Sequence, residues 1–288
     1  MLNILLIMNN YIKLIKPRII FVNLIAVLGG FYFSKFEKCN FSLLFFTLLG
    51  TFFIISSGCI FNNIIDIDID KKMYRTKKRL LIISNHLIFY SKFFGCLFFV
   101  LSIFIFLNKV NLLSCLLSII GFFFYVIIYS YYLKRTSIYD IFFGSISGAI
   151  PPLIGYCAIS NYIDLKCILL FLLFIFWQIA HSYSILIINN TDYQIANIPT
   201  IVIKKGKLIT IKNIIFYIFL FIIIIILFYI FHYINIIYFL ILLFFSFIWL
   251  FISYIYFLLL NYYNFSRLLF YWSIIIMIIF NIILIINH

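Results

Sequence analysis

Three oxygen-bearing side chains near residue 66 have a spacing that can hold a metal ion. Asn62, Asp66 and Asp70 lie at positions i, i+4 and i+8, so on a helix they follow one face, each step rising about 6 Å and turning about 40°. Carboxylate and amide oxygens suit Mg²⁺, which keeps some of its waters and reaches substrates through their phosphates. The spacing predicts a magnesium site, and the alternative is a solvated, charged loop.

The charge of the segment 62–79 favours the metal site over the loop. The segment holds three of the seven acidic residues of the chain and six of its 21 Lys and Arg residues. Asp68, the third acid, turns about 200° away from Asp66 on a helix, so we expect it to lie off the face that carries the other two. Acids that are this scarce and this regularly placed indicate a specific role.

The composition places these residues in a membrane protein. The 288 residues are 67% hydrophobic and 10% charged, whereas soluble domains are about half apolar and about a quarter charged. The net charge of +14 comes from basic residues in short loops between apolar runs, which is the positive-inside pattern and disfavours nucleic acid as a partner. The first charges follow an apolar stretch that is too short for a secretory signal, so we expect no segment to be removed.

Runs of about 20 apolar residues can cross a bilayer as helices. We predict an all-α bundle with nine such runs, at about 19–33, 41–61, 87–107, 111–130, 138–160, 165–188, 209–231, 234–257 and 267–286. When alternate loops are assigned to opposite sides, 16 Lys and Arg residues fall on the side of the N-terminus and four on the other. The N-terminus and the loops near residues 70, 134 and 200 are therefore predicted to face the cytoplasm.

A histidine inside the sixth run has two interpretations. His181 lies about 10 Å from the cytoplasmic end of its helix. A lone histidine on an apolar helix is more often a packing residue, yet an ionisable group inside a span is a functional candidate. Beyond residue 209 there is no acid and the basic residues are few, so the last three helices (209–286) are predicted to be scaffold of one membrane domain, 1–288.

Four motifs in order carry a resemblance to a known family. They are KPRIIFVNLIAVLGG (16–30), SGCIFNNIIDIDIDKKMYRTKKR (57–79), YSYYLKRTSIYDIFFGSISGAIPPLIGYCA (129–158), and WQIAHSYS followed by DYQIANIP (177–199). Over about residues 11–213 the chain resembles the UbiA superfamily of intramembrane prenyltransferases, and within it the heme O synthases of bacteria. It departs from their pattern at Ala180, where the family has Pro, and at Asn189 and Thr191, where basic residues are expected.

The resemblance implies a fold, a reaction and roles for residues. The fold is a helical bundle around a central cavity open towards the cytoplasm. The reaction is Mg²⁺-dependent transfer of farnesyl from farnesyl diphosphate to a vinyl group of heme B, with addition of water. The implied metal ligands are Asn62, Asp66 and Asp70, with Asp192 as a further candidate. The implied diphosphate-binding residues are Arg75, Arg79, Lys134 and Arg135. His181 would contact the heme.

The resemblance also implies a location and partners. The location is the bacterial inner membrane, with lipid around the protein. The product would pass to a heme-copper quinol oxidase or a heme A synthase. Two other functions stay open: prenyl transfer to an aromatic acid or quinone precursor, which would need a second acidic motif after the sixth helix, and transport, which would need polar residues through the midplane from both sides.

Overall fold

The computed structural model describes residues 14–34, 40–79, 81, 86–259 and 262–286, and these ranges contain helices and loops with no strand. The helices are α1 Pro17–Phe33, α2 Phe41–Ile65, α3 Ile67–Lys72, α4 His86–Lys109, α5 Leu112–Thr136, α6 Asp140–Ser160, α7 Leu165–Ile188, α8 Asn190–Ile195, α9 Ile201–Lys205, α10 Lys207–Ile230, α11 Ile236–Leu259 and α12 Tyr262–Ile286. The all-α prediction is confirmed.

Apolar helices occur at each of the nine predicted runs. In the described ranges, eight helices are long and apolar enough to cross a membrane by length and composition, and α1, with 17 residues, is shorter. Large apolar side chains on the outer helices are exposed, including Phe89, Phe93 and Phe104 on α4 and Phe244 on α11. Lipid, and not water, suits such a surface.

Polar side chains at helix starts explain where several apolar runs begin. Asn40 accepts a hydrogen bond from the backbone N–H of Leu43 (3.1 Å), and Asp164 accepts one from that of Cys167 (2.8 Å). Such caps satisfy backbone donors that have no partner inside the helix. They set the starts of α2 and α7.

Close backbone contact between α1 and α6 organises the centre of the bundle. A Cβ on Gly30 would overlap the carbonyl oxygen of Pro152, and a Cβ on Gly155 would overlap that of Val27. Small residues allow membrane helices to approach in this way. Helix α12 packs on both α1 and α7, so the last helix is joined to the centre of the bundle.

The second half of α5 departs from regular α geometry. Residues Phe124–Leu133 form a π-helix, in which the rings of Tyr125 and Tyr129 stack with their centroids 6.1 Å apart. Inside this turn the Ser130 hydroxyl donates to the carbonyl oxygen of Tyr125 (2.7 Å). π-Helical turns are rare and often occur at functional sites. In this one Ser130 Oγ accepts a hydrogen bond from Asn62 Nδ2 (2.9 Å), so the π-helix contacts a metal-ligand candidate of α2.

Candidate functional site

A cavity of about 620 Å³ runs into the bundle between α1, α2, α5, α6, α7 and α12. Its charged and amide-bearing wall contains Lys16, Asn62, Asp66, Asp70, Arg75, Arg79 and Lys134. Further residues of the lining are apolar or aromatic, among them Ile54, Phe122, Tyr125, Ile150, Phe174, Trp177 and Met277. The cavity could therefore bind a ligand that has both a charged group and a long hydrocarbon chain.

The three metal-ligand candidates share one helical face, as the spacing predicts. Helix α2 ends at Ile65 and α3 begins at Ile67, but the backbone hydrogen bonds continue across the junction. The N–H of Asp66 donates to the carbonyl of Asn62 (2.9 Å), and that of Asp70 donates to the carbonyl of Asp66 (2.8 Å). All three side chains line the cavity.

Basic side chains from separate parts of the chain contact this face. The Lys134 ammonium donates to Asp66 Oδ2 (2.5 Å), and the Arg79 guanidinium donates to Asp70 Oδ2 (2.5 Å). Both basic residues were predicted from the sequence. Each neutralises a buried carboxylate while facing the cavity, so a bound anion could share these cations.

Lys16 is a third cation at this face, and it is not among the diphosphate-binding residues predicted from the sequence. Its Nζ donates to Asn62 Oδ1 (2.5 Å), and burial lowers the pKa of Lys16 to about 8. The sequence feature that could have indicated its role is its position at the start of the first motif, directly before Pro17. The contact spans 46 positions of sequence, so local spacing could not reveal it.

The donor set fits Mg²⁺. Asp66 is only 1% exposed, and among the described residues its Oδ1 has no hydrogen-bond partner, although a buried carboxylate oxygen without a partner is costly. A cation at this oxygen would remove that cost. In the described ranges no three His, Cys, Asp or Glu side chains form a cluster that could hold a metal ion. The candidate protein ligands are therefore two carboxylates and one amide. Substrate phosphates and water would complete the coordination shell.

Asp68 and Arg135 lie outside the cavity. Asp68 leaves the face of Asp66 as predicted, its side chain is 62% exposed, and it forms a bidentate pair with Arg135 at 2.6 and 2.7 Å. The hydrogen bond from Arg135 lowers the pKa of Asp68. Arg135 also donates to the carbonyl oxygen of Ile65 (2.6 Å) and so caps the end of α2. The structure therefore does not bring Arg135 to the other predicted diphosphate-binding residues.

Asp192 is also engaged away from the cavity lining. Its two carboxylate oxygens accept hydrogen bonds from the backbone N–H groups of Tyr74 (3.2 Å) and Arg75 (3.4 Å). This anchors the loop after α3 to α8, and the Arg75 side chain lines the cavity. Asp192 thus holds a loop that carries a predicted diphosphate-binding residue, and it does not join Asp66 and Asp70.

His181 lines the cavity deeper in the bundle and is held on three sides. Its ring stacks on Trp177, with centroids 5.1 Å apart and planes at 17°, and it packs against Phe270 at 5.0 Å. Its Nδ1 lies 2.7 Å from the Ser273 hydroxyl. Phe270 and Ser273 belong to α12, as do Ile274, Met277 and Asn281 of the cavity wall. This helix, predicted to be scaffold, is therefore part of the site.

The sequence model of the UbiA prenyltransferase family matches residues 23–280. The chain belongs to this family. A protoheme IX farnesyltransferase of Baumannia cicadellinicola subsp. Homalodisca coagulata is 46% identical over 213 residues, which are 74% of each chain. One of Buchnera aphidicola subsp. Cinara cedri is 46% identical over 201 residues, 69% of this chain and 72% of the relative. The resemblance deduced from the four motifs is confirmed.

Solved structures share the fold of this chain. A digeranylgeranylglyceryl phosphate synthase superposes with a TM-score of 0.79 at 20% identity, covering 97% of this chain and 98% of that one. A UbiA homolog from Archaeoglobus fulgidus, bound to GPP and Mg²⁺, superposes with a TM-score of 0.68 at 14% identity, covering 96% and 99%. At these identities the superpositions establish the shared UbiA fold alone.

Proposed function

We propose that this UbiA-family protein transfers the farnesyl group of farnesyl diphosphate to a vinyl group of heme B, with addition of water, and so makes heme O. The observation that carries this is one cavity with a mouth lined by carboxylate, amide and cationic side chains, an apolar interior and a fixed imidazole in its wall. The curated relatives are named for this same reaction. The product would serve a heme-copper quinol oxidase or a heme A synthase.

The mouth of the cavity is the proposed diphosphate site. Arg79, Lys134 and Lys16 already face the carboxylate and amide oxygens of α2 and α3, and Arg75 lines the same cavity. Asn62, Asp66 and Asp70 would hold Mg²⁺, which supplies charge neutralisation to the leaving diphosphate when bound. The preorganised cations of the chain stabilise the negative charge that develops as the allylic C–O bond breaks, and arginine can do so through two parallel hydrogen bonds.

The interior of the cavity is the proposed site of the prenyl chain and the heme. Its apolar wall excludes water from the allylic cation, and the rings of Tyr125, Phe122 and Trp177 line the same space, where aromatic faces can stabilise a cation. His181 is the proposed contact to the heme. Three fixed contacts on its ring support a ligand role over simple packing, because a ligand must be held in one orientation.

The two other functions lack support in the described residues. The loop 189–207 contains one acid, Asp192, and both its carboxylate oxygens are used by the backbone, so it gives no second acidic motif for an aromatic acid acceptor. The charged side chains of the cavity lie at the start of α1, at and after the end of α2, and near the end of α5. The predicted topology places these positions on one side of the membrane, whereas a transporter needs polar residues from both sides.

The function can be tested with purified protein in lipid nanodiscs. Incubation with heme B, farnesyl diphosphate and Mg²⁺, followed by chromatography of the extracted pigment, should give heme O, and omission of Mg²⁺ should prevent its formation. His181→Ala should weaken heme B binding, measured by the Soret band, while binding of farnesyl diphosphate stays close to that of the unmodified protein. Absence of heme O from the complete mixture would refute the proposed reaction.

We further propose that the protein lies in the bacterial inner membrane with its N-terminus and the cavity mouth towards the cytoplasm. Lys77, in the loop after α3, is exposed, so a single cysteine at this position should react with an impermeant thiol reagent only from the cytoplasmic side. Labelling from the periplasm alone would invert the assignment. Lys38 is one of the four basic residues predicted to lie on the opposite side, and it lies outside the described residues.

A further inference from the structure

Ser273 of α12 contacts two aromatic side chains of α7 through different atoms. Its carbonyl oxygen accepts a hydrogen bond from Trp177 Nε1 (2.7 Å), and its hydroxyl lies 2.7 Å from His181 Nδ1. Ser273 is fully buried, so water does not compete for either contact. One residue of the last helix therefore holds the rings of both Trp177 and His181, and these two rings stack on each other.

Counting protons at the Ser273 hydroxyl decides which nitrogen of His181 carries hydrogen. The hydroxyl has one proton, and its oxygen also lies 2.6 Å from the carbonyl oxygen of Phe270. A backbone carbonyl can only accept, so the proton of Ser273 points to Phe270. The short contact with His181 is then a hydrogen bond only if Nδ1–H donates to the hydroxyl oxygen.

The second ring nitrogen is consequently left with a lone pair. In a neutral imidazole that carries hydrogen on Nδ1, Nε2 is an acceptor and a metal ligand. Nε2 has no hydrogen-bond partner among the described residues, and His181 lines the cavity. An imidazole that binds a metal through one nitrogen usually donates from the other to an oxygen, which fixes its tautomer and orientation.

We infer that Ser273 is a positioning residue that holds His181 in the Nδ1–H tautomer, so that Nε2 binds the iron of the heme B substrate. This rests on the proposed use of heme B and extends it to a residue outside the four motifs. The carbonyl of Ser273 also holds the indole of Trp177, on which the imidazole of His181 stacks. One turn of α12 therefore determines both the orientation and the tautomer of the imidazole.

Heme titration of purified Ser273→Ala tests this role. Loss of an outer-shell partner of a ligating histidine typically costs 10–100-fold in metal affinity, so the Kd for heme B should rise about tenfold or more. The iron–histidine stretching band in the resonance Raman spectrum of the ferrous complex should weaken, because the Nε2–H tautomer can now form. Binding of farnesyl diphosphate should not change.

Two comparisons separate the hydroxyl from packing. Ser273→Thr and Ser273→Val have nearly the same shape, and only Thr keeps the hydroxyl, so Thr should retain heme affinity and the iron–histidine band while Val loses both. Ser253→Ala on α11 removes another buried hydroxyl, which donates a hydrogen bond within its own helix (Ser253 Oγ to the carbonyl of Trp249, 2.8 Å). It should leave heme binding unchanged.

The outcomes distinguish this inference from the proposed function. Equal heme affinity and equal Raman bands in Ser273→Thr and Ser273→Val would overturn the role of Ser273. A normal iron–histidine band in His181→Ala would overturn the ligand role of His181 while heme O formation by the unmodified protein still supported the reaction. Failure of the unmodified protein to make heme O would count against the reaction alone, because the spectra do not depend on turnover.

Discussion

Replacing Asp66 by Asn should abolish most of the activity, and the same exchange at Asp68 should not. Asp66 is 1% exposed and lines the cavity, and its Oδ1 has no hydrogen-bond partner in the part of the chain that the structure describes. Asn has nearly the same volume and keeps one oxygen, so the exchange mainly removes charge. Losing one preorganised electrostatic group at a reacting centre costs about 10²–10³-fold, or roughly 3–4 kcal/mol, and we expect a loss of this size in kcat/KM for farnesyl diphosphate.

Asp68→Asn is the matched control because it makes the same chemical change two residues away. The Asp68 side chain is 62% exposed and pairs with Arg135 outside the cavity. Exposed ion pairs contribute at most about 1 kcal/mol, so kcat/KM should change by less than about fivefold. The Mg²⁺ concentration for half-maximal rate should rise for Asp66→Asn and stay constant for Asp68→Asn.

The assay is the initial rate of heme O formation in nanodiscs at several Mg²⁺ concentrations. Size-exclusion chromatography and thermal unfolding of each variant establish that it is folded. Equal losses in the two folded variants would show that the segment acts only as a general acidic loop. Activity of Asp66→Asn close to that of the unmodified protein would remove Asp66 from the set of metal ligands.

Three further predictions concern the mouth and the helix contacts. Arg79→Gln should raise the Kd for farnesyl diphosphate at least tenfold, since a charge-assisted hydrogen bond contributes about 1.5–3 kcal/mol. Arg135→Gln should change this Kd little. Isothermal titration measures both values, and a larger effect at Arg135 would place the diphosphate elsewhere. Because the pKa of Lys16 is lowered to about 8, its positive charge is present below pH 8 and is lost as the pH rises through that value, so KM for farnesyl diphosphate should increase between pH 7 and 9. Lys16→Arg, which stays charged, should remove this increase, and an identical pH profile in both proteins would contradict the role. Gly30→Ala should lower the unfolding temperature and the yield of folded protein, because its Cβ would overlap the backbone of Pro152 and force α1 away from α6; an unchanged unfolding temperature would show that the two helices can separate without cost.

Properties that depend on neighbours along the chain could be predicted from the sequence. In a bilayer every backbone polar group must find a partner within the protein, and a run of about 20 apolar residues achieves this within its own segment as a helix. The i, i+4, i+8 spacing of Asn62, Asp66 and Asp70 likewise determines a shared face, and it places Asp68 off that face. The four motifs indicated the UbiA family because they record several such local constraints in one order.

Contacts between distant parts of the chain were decided only by the tertiary structure. Arg135 and Lys134 are adjacent and have the same charge, yet one pairs with exposed Asp68 and the other with buried Asp66. The π-helix of α5 and the part played by α12 were not predicted, because in a chain that is 67% hydrophobic apolar patterning does not distinguish a cavity wall from a lipid-facing surface. Ser273 meets His181 across 92 positions, and only packing of α12 against α7 brings the hydroxyl within hydrogen-bond distance of the imidazole.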